Sequence, residues 1–210
     1  RATVIVAGRE TWAHVANSGR LGELFTPGRP VWLSPSADPN RKTAYDLRLV
    51  DYDGTLISVD ARLPNYLVAE ALAEQRLPGL AYPEIQREVT LGDSRLDFRL
   101  SGPAETCWLE TKSVTLVTEG LAQFPDAPTA RGRRHLEELI VARATGARAV
   151  VVFVIQRPVA RQFAPHRAAD PLFASPLERA AAAGVEIRAF NCHVSLETIT
   201  VATEIPVTLN

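Results

Sequence analysis

Residues 95–113 of this chain read RLDFRLSGPAETCWLETKS, and this stretch decides how the second half of the sequence folds. Apolar and polar side chains alternate in both arms around a Gly-Pro turn, which predicts a β-hairpin. Because strand side chains alternate between two faces, Glu110 and Lys112 share one face of the second arm. Folding the hairpin about its turn brings Asp97 opposite Glu110, within one residue of register. The sequence therefore places two carboxylates and an amine close together.

Two carboxylates held side by side repel each other unless a cation neutralises their charge. Hard oxygen ligands suit Mg²⁺ or Mn²⁺, so Asp97 and Glu110 are candidate ligands for one or two such ions. A bound ion would polarise a phosphodiester and activate a water, while Lys112 orients that water or offsets developing charge. The same pattern also fits a solvated hairpin face, on which Lys112 and neighbouring arginines pair with the two acids. The pattern alone leaves both interpretations open.

The composition narrows the class of protein. The 210 residues include 46% hydrophobic and 22% charged residues, which suits a globular chain of one large or two small domains. The formal net charge is −1, so any contact with nucleic acid must come from a local cluster of basic side chains. The chain has neither a run of about 18 apolar residues nor a signal peptide, so we expect a cytoplasmic protein without a membrane partner. Cys107 and Cys192 lack metal-ligand spacing and are predicted to be free thiols.

The first 60 residues read as short strands separated by turns. Apolar, β-branched segments predict strands at residues 2–7, 11–16, 31–33, 45–51 and 56–59. So many short strands in one segment fit a small closed barrel such as an OB-fold, although any small antiparallel sheet would show the same signals. Met is absent from the chain, so we expect residues to precede Arg1.

Three basic residues of this first segment are candidates for contact with DNA. Arg20, Arg41 and Lys42 lie in predicted loops, near Trp12 and Trp32 in the sequence. Basic loops beside aromatic rings suit single-stranded nucleic acid, because bases stack on the rings. Tryptophans buried in a small barrel core are the alternative explanation.

Residues 61–210 read as an α/β domain. Helices are predicted at residues 64–76, at 129–144 and within 170–183, and strands at 83–91, in both hairpin arms, at 149–155 and at 185–190. The continuous apolar run at 149–155 predicts a strand covered on both faces, in a parallel position at the centre of a mixed sheet. The residues from 195 onward are mixed in pattern and are not assigned to an element.

Basic residues open the helix predicted at residues 129–144, namely Arg131, Arg133, Arg134 and His135. A helix N-terminus presents free N–H groups and partial positive charge, so basic side chains there make a phosphate site. Arg131 and His135 are four apart and can share one side of the helix, which makes them candidates for DNA contact. A solvated helix face is the alternative, and it suits Arg133 best.

The order of these elements, with Asp on the second strand and Glu-x-Lys on the third, resembles the core of the PD-(D/E)xK nuclease superfamily. Further motifs resemble the sugar fermentation stimulation protein family along nearly the full chain. They are Asn17-Ser18-Gly19, Thr26-Pro27-Gly28, Leu63-Pro64-Asn65, Arg87-Glu88-Val89, and the segments 94–98, 124–127, 129–132, 135–136 and 181–185. Several independent motifs in the right order make this resemblance far more specific than Glu-x-Lys alone. One departure is Ser18, where the family usually has Thr, and this keeps a hydroxyl.

This resemblance implies an α/β fold with a small all-β domain. An N-terminal OB-like β-barrel, residues 1–60, would precede a PD-(D/E)xK nuclease-like mixed sheet flanked by helices, residues 61–210. The family's opening segment is not present, so the resemblance also implies that the first barrel strand is missing from residues 1–60. It also implies a DNA-binding protein linked to the regulation of sugar (maltose) metabolism, with a Mg²⁺- or Mn²⁺-dependent deoxyribonuclease as the leading expectation. The alternative is a non-catalytic, non-specific DNA-binding regulator that keeps the nuclease-like scaffold. A homodimer is an open alternative for the assembly.

Carried over residue by residue, the resemblance assigns roles to four side chains. Asp97 and Glu110 fall on the metal-ligand positions, and Lys112 falls on the catalytic lysine. Glu70 falls where such nucleases place a further metal-binding carboxylate on a helix. An oligosaccharide-binding protein with an OB-type domain is the weakest candidate, because it leaves this acidic cluster unexplained.

Overall fold

The computed structural model describes residues 1–36, 38 and 40–209 of the chain. Its first part contains five strands, β1 (Ala2–Val6), β2 (Arg9–His14), β3 (Val31–Pro35), β4 (Tyr45–Tyr52) and β5 (Thr55–Ser58). All the strands predicted for this part are present, with boundaries that agree within two residues. They form one sheet in the order β1-β2-β4-β3, with β5 also paired to β4.

Strand β4 organises this first sheet because it has three partners. Its start runs parallel to β2 and its end pairs antiparallel with β5, while β3 pairs antiparallel with it. A register shift between Trp32 and Leu33 interrupts the ladder between β3 and β4, and such shifts bend a strand locally. Within residues 1–36, 38 and 40–60, no pairing joins the edge strands β1 and β3. The OB-like domain is therefore an open sheet, and the closed barrel that we expected is not formed by these residues.

The second part of the chain is α/β. Its elements are α1 (Leu63–Ala73), β6 (Glu84–Leu91), β7 (Ser94–Ser101), β8 (Thr106–Val114), β9 (Val117–Thr118), β10 (Leu121–Phe124), α2 (Ala130–Ala144), β11 (Arg148–Ile155), β12 (Gln162–Pro165), α3 (Pro171–Ala182), β13 (Glu186–Val194) and β14 (Ile199–Ile205). They form a six-stranded sheet in the order β14-β13-β11-β8-β7-β6 and a three-stranded sheet in the order β12-β10-β9. In the described part of the chain, no helix is long and apolar enough to cross a membrane.

Strand β11 lies at the centre of the six-stranded sheet, as its apolar run predicts. It pairs in parallel with both β8 and β13. Its side chains alternate between two cores: Val150 and Val152 pack beneath α1, whereas Val151 and Phe153 pack beneath α2 and α3. The sheet is thus covered on both faces, which is why every residue of the strand after Arg148 is apolar.

Helix α2 starts where the sequence predicts and is fixed at its N-terminus by two caps. The hydroxyl of Thr129 accepts a hydrogen bond from the N–H of Gly132 at 3.0 Å. Asp170, the N-cap of α3, accepts from the N–H of Thr129 at 2.9 Å and pairs with Arg133 at 3.0 Å. A side chain at Gly132 would have its Cβ 2.9 Å from Thr129, so glycine permits the close approach. These contacts hold the first turns of α2 in place over the sheet.

The two cysteines are free, as predicted, and both are buried. Burial raises the pKa of Cys107 and of Cys192 to about 12. Their thiols are therefore protonated at neutral pH, a state in which cysteine is a poor nucleophile. They act as small apolar side chains of the core beneath α1.

Asp60 ties the β domain to the start of α1. Its carboxylate accepts a hydrogen bond from Arg48 of β4 at 2.6 Å, and two from the Arg62 guanidinium at 2.8 and 2.6 Å. Its main-chain carbonyl accepts from the side chain of Gln156, at the end of β11, at 3.2 Å. Burial alone would raise the pKa of Asp60, but the hydrogen bonds and charges of Arg62 and Arg48 outweigh it and lower that pKa. This residue thus connects three elements from both parts of the chain.

We expect the substitution Asp60→Asn to lower the free energy of unfolding by about 1–3 kcal/mol at neutral pH. Asparagine keeps the shape of the side chain but removes the charge that holds Arg48 and Arg62. Because the pKa of Asp60 is lowered in the folded state, its stabilising effect is complete above the ordinary pKa and fades as the pH falls through the lowered pKa. Urea unfolding of both proteins from neutral to acidic pH checks the size and direction of this change.

The matched control is Asp53→Asn, because the carboxylate of Asp53 is 78% exposed and forms only a long pair with Arg29, at 3.6 Å. We expect it to change stability by less than about 0.5 kcal/mol. Equal stability of wild type and Asp60→Asn at neutral pH, or a difference that grows on acidification, would contradict the role given to Asp60.

Candidate metal centre

The strands β7 and β8 separate where the two predicted carboxylates meet. Their ladder reaches Phe98 opposite Leu109, and this register sets Asp97 opposite Glu110. Beyond this pair, carboxylate side chains accept the hydrogen bonds of main-chain N–H groups on the facing strand. The N–H of Asp97 donates to Oε2 of Glu110 at 3.3 Å, and the N–H of Thr111 donates to Oδ2 of Asp97 at 2.8 Å. The carboxylates therefore lie inside the opening between two neighbouring strands.

The other edge of β7 is also irregular at Asp97. On β6 the facing residue is Glu88, whose φ of +55° lies in the left-handed region, and this costs a non-glycine residue about 1–2 kcal/mol. The side chains on either side of this point belong to different cores: Leu96 packs beneath α2, whereas Phe98 packs beneath α1. The change of core is consistent with a local twist of β7, which sets Asp97 apart from the regular alternation of its strand.

Glu110 and Lys112 lie on the face of β8 that α2 covers. Lys112 Nζ is 2.5 Å from Oε1 of Glu110, and Nδ1 of His135 contacts the same oxygen. Glu110 is 3% exposed, Lys112 9% and His135 1%. Burial alone would raise the pKa of Glu110, but the charge of Lys112 and the hydrogen bond of His135 outweigh it and lower the pKa. Glu110 is thus kept ionised in a buried position, so the hairpin face is not the solvated one of the alternative interpretation.

The hydrogen bonds around His135 form a chain from the surface to Glu110. Arg131, which is exposed, donates from Nε to Nε2 of His135 at 3.3 Å. Since Nε2 accepts, the ring proton lies on Nδ1 and is donated to Glu110. The structure corrects the prediction that His135 contacts DNA, because its ring is buried and both nitrogens are engaged. It brings Arg131 and His135 together on one side of α2, and only Arg131 reaches solvent.

Asp97 is the partly exposed member of the centre. Burial and the nearby charge of Glu110 raise the pKa of Asp97, against the hydrogen bond from the N–H of Thr111 and the charge of Lys112. Oδ2 of Asp97 and Oε2 of Glu110 each accept one hydrogen bond from the main chain, which leaves a lone pair on each oxygen. Two such carboxylates fit a hard divalent cation, with waters as its remaining ligands.

The structure does not bring Glu70 to this centre. Its carboxylate is 51% exposed on α1 and pairs with Arg76 at 3.9 Å. The residue of α1 that affects the centre is Asn65, whose side chain opposes the rise in the pKa of Asp97. In the described part of the chain, no three His, Cys, Asp or Glu side chains are grouped so as to hold a metal ion. The described residues show no contact between Glu70 and the centre, and its role as a metal ligand stays a prediction. Sequence reasoning missed Asn65 although it quoted the motif Leu63-Pro64-Asn65.

The basic loop residues of the β domain differ in their surroundings. Arg20 is exposed, and its N–H donates to Oδ2 of Asp126 in the second part of the chain, at 2.9 Å. Arg41 pairs with Asp46 at 3.0 Å and keeps 30% of its side chain exposed, while Lys42 is exposed. The polar loop before Arg41 contains Ala37 and Pro39, which lie outside the described residues. Contact of Arg20, Arg41 and Lys42 with DNA stays a prediction.

Family comparisons cover nearly the entire sequence. Residues 1–59 match the model described as the SfsA N-terminal OB domain, and residues 62–198 match the sugar fermentation stimulation protein RE domain. The protein named sugar fermentation stimulation protein homolog in Chloroflexus aurantiacus is 50% identical over 96% of this chain and 78% of its own length. The homolog in Moorella thermoacetica is 49% identical over 100% of this chain and 92% of its own length.

A solved structure agrees with these comparisons. The structure described as Pyrococcus furiosus SfsA in complex with Ca²⁺ superposes with a TM-score of 0.90 and 35% identity. The alignment covers 98% of this chain and 89% of that chain. The two family models leave only two residues between them, Asp60 and Ala61, next to the boundary that we predict between the domains. The chain belongs to the sugar fermentation stimulation protein family.

Proposed function

We propose that this chain binds DNA and hydrolyses its phosphodiester bonds with a divalent cation held by Asp97 and Glu110. The observation that carries the proposal is the opening between β7 and β8. There two carboxylates of adjacent strands keep a free lone pair each, beside the buried ammonium of Lys112. A bound Mg²⁺ or Mn²⁺ supplies Lewis acidity and lowers the pKa of a bound water.

Each residue of the centre has a separate task in this proposal. Glu110 is kept ionised by Lys112 and His135, so it stays a ligand at neutral pH. Lys112, held 2.5 Å from that carboxylate, presents a fixed positive charge to the oxygens of a bound phosphate. His135 holds Oε1 of Glu110, which leaves Oε2 to the opening between the strands. Arg131, at the N-terminus of α2, provides a cation and free main-chain N–H groups for a neighbouring phosphate.

The relative of known structure adds support for a divalent cation. It is described as a complex with Ca²⁺ and shares 35% of its residues with this chain. Ca²⁺ and Mg²⁺ both prefer oxygen ligands such as Asp97 and Glu110, and the choice of Mg²⁺ or Mn²⁺ belongs to the proposal. The link to the regulation of sugar metabolism follows from the family name and from the resemblance, and we propose it on those grounds.

A non-catalytic DNA-binding regulator is the second candidate. The observation that favours it is the burial of Glu110, which is 3% exposed. Its Oε1 already contacts both Lys112 and His135. The outward position of Glu70 points the same way, because only two carboxylates then face the opening. Such a protein would use Arg20, Lys42 and Arg131 for DNA and keep the centre as structure.

Removal of metal separates these two functions. We expect the wild type to cleave labelled single- or double-stranded DNA in Mg²⁺ or Mn²⁺, and cleavage to stop in EDTA. Lys112→Ala should lower the cleavage rate by about a hundredfold or more. Lys42→Ala is the matched control, because positions 42 and 112 hold the only two lysines of the chain and Lys42 is exposed. It should weaken binding and leave the rate at saturating DNA unchanged.

The regulator gives the opposite result. It would bind DNA equally well in EDTA and in Mg²⁺, with no cleavage of either form in Mg²⁺ or Mn²⁺. Cleavage that continues in EDTA, or that is unaffected by Lys112→Ala, would also remove the proposed mechanism. An oligosaccharide-binding protein would show a thermal shift with maltodextrins and none with DNA.

A further inference from the structure

Helix α1 carries an exposed aromatic residue beside the candidate metal centre. Tyr66 is 60% exposed, whereas the residues that anchor the helix, such as Leu67 and Val68, are buried. The ring therefore takes no part in the packing of α1 on the sheet. Its neighbour in sequence, Asn65, contributes to the electrostatic environment of Asp97.

Arg87 of β6 joins this ring to the metal centre. Its guanidinium carbon lies 5.0 Å from the centre of the Tyr66 ring, and its Nη2 donates to Oδ1 of Asn65 at 2.5 Å. Arg87 also pairs with Phe98 of β7, the residue that follows Asp97, so the ring and Arg87 lie beside the strand that carries Asp97. The nearest acid on the same strand, Glu88, pairs with Arg95 at 3.5 Å, so it does not cancel the charge of Arg87.

An exposed ring with an arginine beside it is suited to a nucleobase and its phosphate. Bases stack on aromatic side chains with little dependence on sequence, and arginine adds attraction to the backbone. A base inside a duplex is stacked and paired, so its face is open to a side chain only where the strand is unpaired. The arrangement therefore selects the single strand over the duplex.

We propose that Tyr66 and Arg87 form a stacking platform for an unpaired base of the DNA strand whose phosphate lies at Asp97 and Glu110. The substrate is accordingly single-stranded or locally unpaired DNA. This inference rests on the proposed function for the metal centre, and it adds the strandedness of the substrate to it. The platform is made by α1 and β6, outside the OB-like domain.

Binding of fluorescent oligothymidylate, measured by anisotropy in EDTA, tests the platform without any cleavage. We expect Tyr66→Ala to weaken binding of the single strand by about tenfold or more, and binding of a duplex of equal length by less than about twofold. Tyr66→Phe keeps the ring and should bind as the wild type does. Tyr66→Leu keeps an apolar side chain of similar size without the ring and should lose affinity as Tyr66→Ala does.

Val141→Ala controls for the loss of an exposed apolar side chain, since Val141 is 56% exposed near the far end of α2. It should change neither affinity. The platform is overturned if the wild type binds only the duplex, if Tyr66→Ala weakens both forms equally, or if Tyr66→Ala leaves the single strand unaffected. A wild type that cleaves nothing, but whose affinity for the single strand depends on Tyr66, removes the proposed hydrolysis and keeps the platform.

Discussion

Glu110→Gln is expected to lower metal-dependent DNA cleavage by about a thousandfold, while DNA binding in EDTA stays within about twofold of the wild type. Glutamine has nearly the shape of glutamate, and its amide oxygen can still accept from Lys112 and His135. It carries no charge, so the opening between β7 and β8 keeps only the carboxylate of Asp97 as an ionic ligand. The divalent cation should therefore bind far more weakly, which calorimetric titration with Ca²⁺ measures directly.

The control for Glu110→Gln is Glu84→Gln, which removes an exposed carboxylate from β6 of the same sheet. It should change neither Ca²⁺ affinity nor cleavage. Cleavage that survives in Glu110→Gln, or Ca²⁺ affinity that is equal in the two variants, would mean that the metal lies elsewhere. A thermal unfolding midpoint of Glu110→Gln that stays above the assay temperature would show that lost activity is not lost structure.

The position of the two carboxylates could be predicted because a hairpin fixes its own register. Alternation over a period of two and a short turn decide which side chains face each other. The observed ladder ends at the pair Phe98 and Leu109, and its register sets Asp97 opposite Glu110. The central strand β11 was equally predictable, since its run of apolar residues suits only a strand covered on both faces. Both features depend on residues that are neighbours in the sequence.

The surroundings of the carboxylates depend on residues far apart in the sequence, and sequence reasoning missed them. Lys112 and Glu110 are buried because α2 packs over their face of β8, with His135 in contact with Glu110. The angle at which a helix crosses a sheet decides this contact, and periodicity does not contain that angle. For the same reason the helix carboxylate Glu70 was predicted at the centre, where the structure has Asn65.

The shortest strands were also beyond sequence reasoning. Strand β9 has two residues and β12 has four, too few to show alternation. The strand β14 lies in the unassigned tail, where three consecutive side chains of the strand are exposed, so its pattern does not identify a buried face. The open edge of the first sheet has a similar origin, because closure depends on pairing between β1 and β3, which are far apart in the sequence.

Lys112→Met should lower the free energy of unfolding by about 3–5 kcal/mol at neutral pH. Methionine fills the same volume but leaves the carboxylate of Glu110 buried without its cation. The burial that normally raises the pKa of Glu110 is then no longer offset by the charge of Lys112. The variant should therefore recover part of its deficit as the pH falls, because Glu110 becomes protonated and neutral before the protein unfolds. Urea unfolding of wild type and variant over a range of pH measures this.

The double substitution Glu110→Gln with Lys112→Met decides whether the pair or the packing causes this loss. If the unpaired charge is the cause, the double variant should be more stable than Lys112→Met alone, because no buried ion is left. The coupling between the two sites in a double-mutant cycle should then reach about 2 kcal/mol or more. Strictly additive losses, or a deficit of Lys112→Met that does not shrink on acidification, would mean that Lys112 stabilises the fold through its alkyl chain. The buried ammonium would then be no argument for a site built to hold charge.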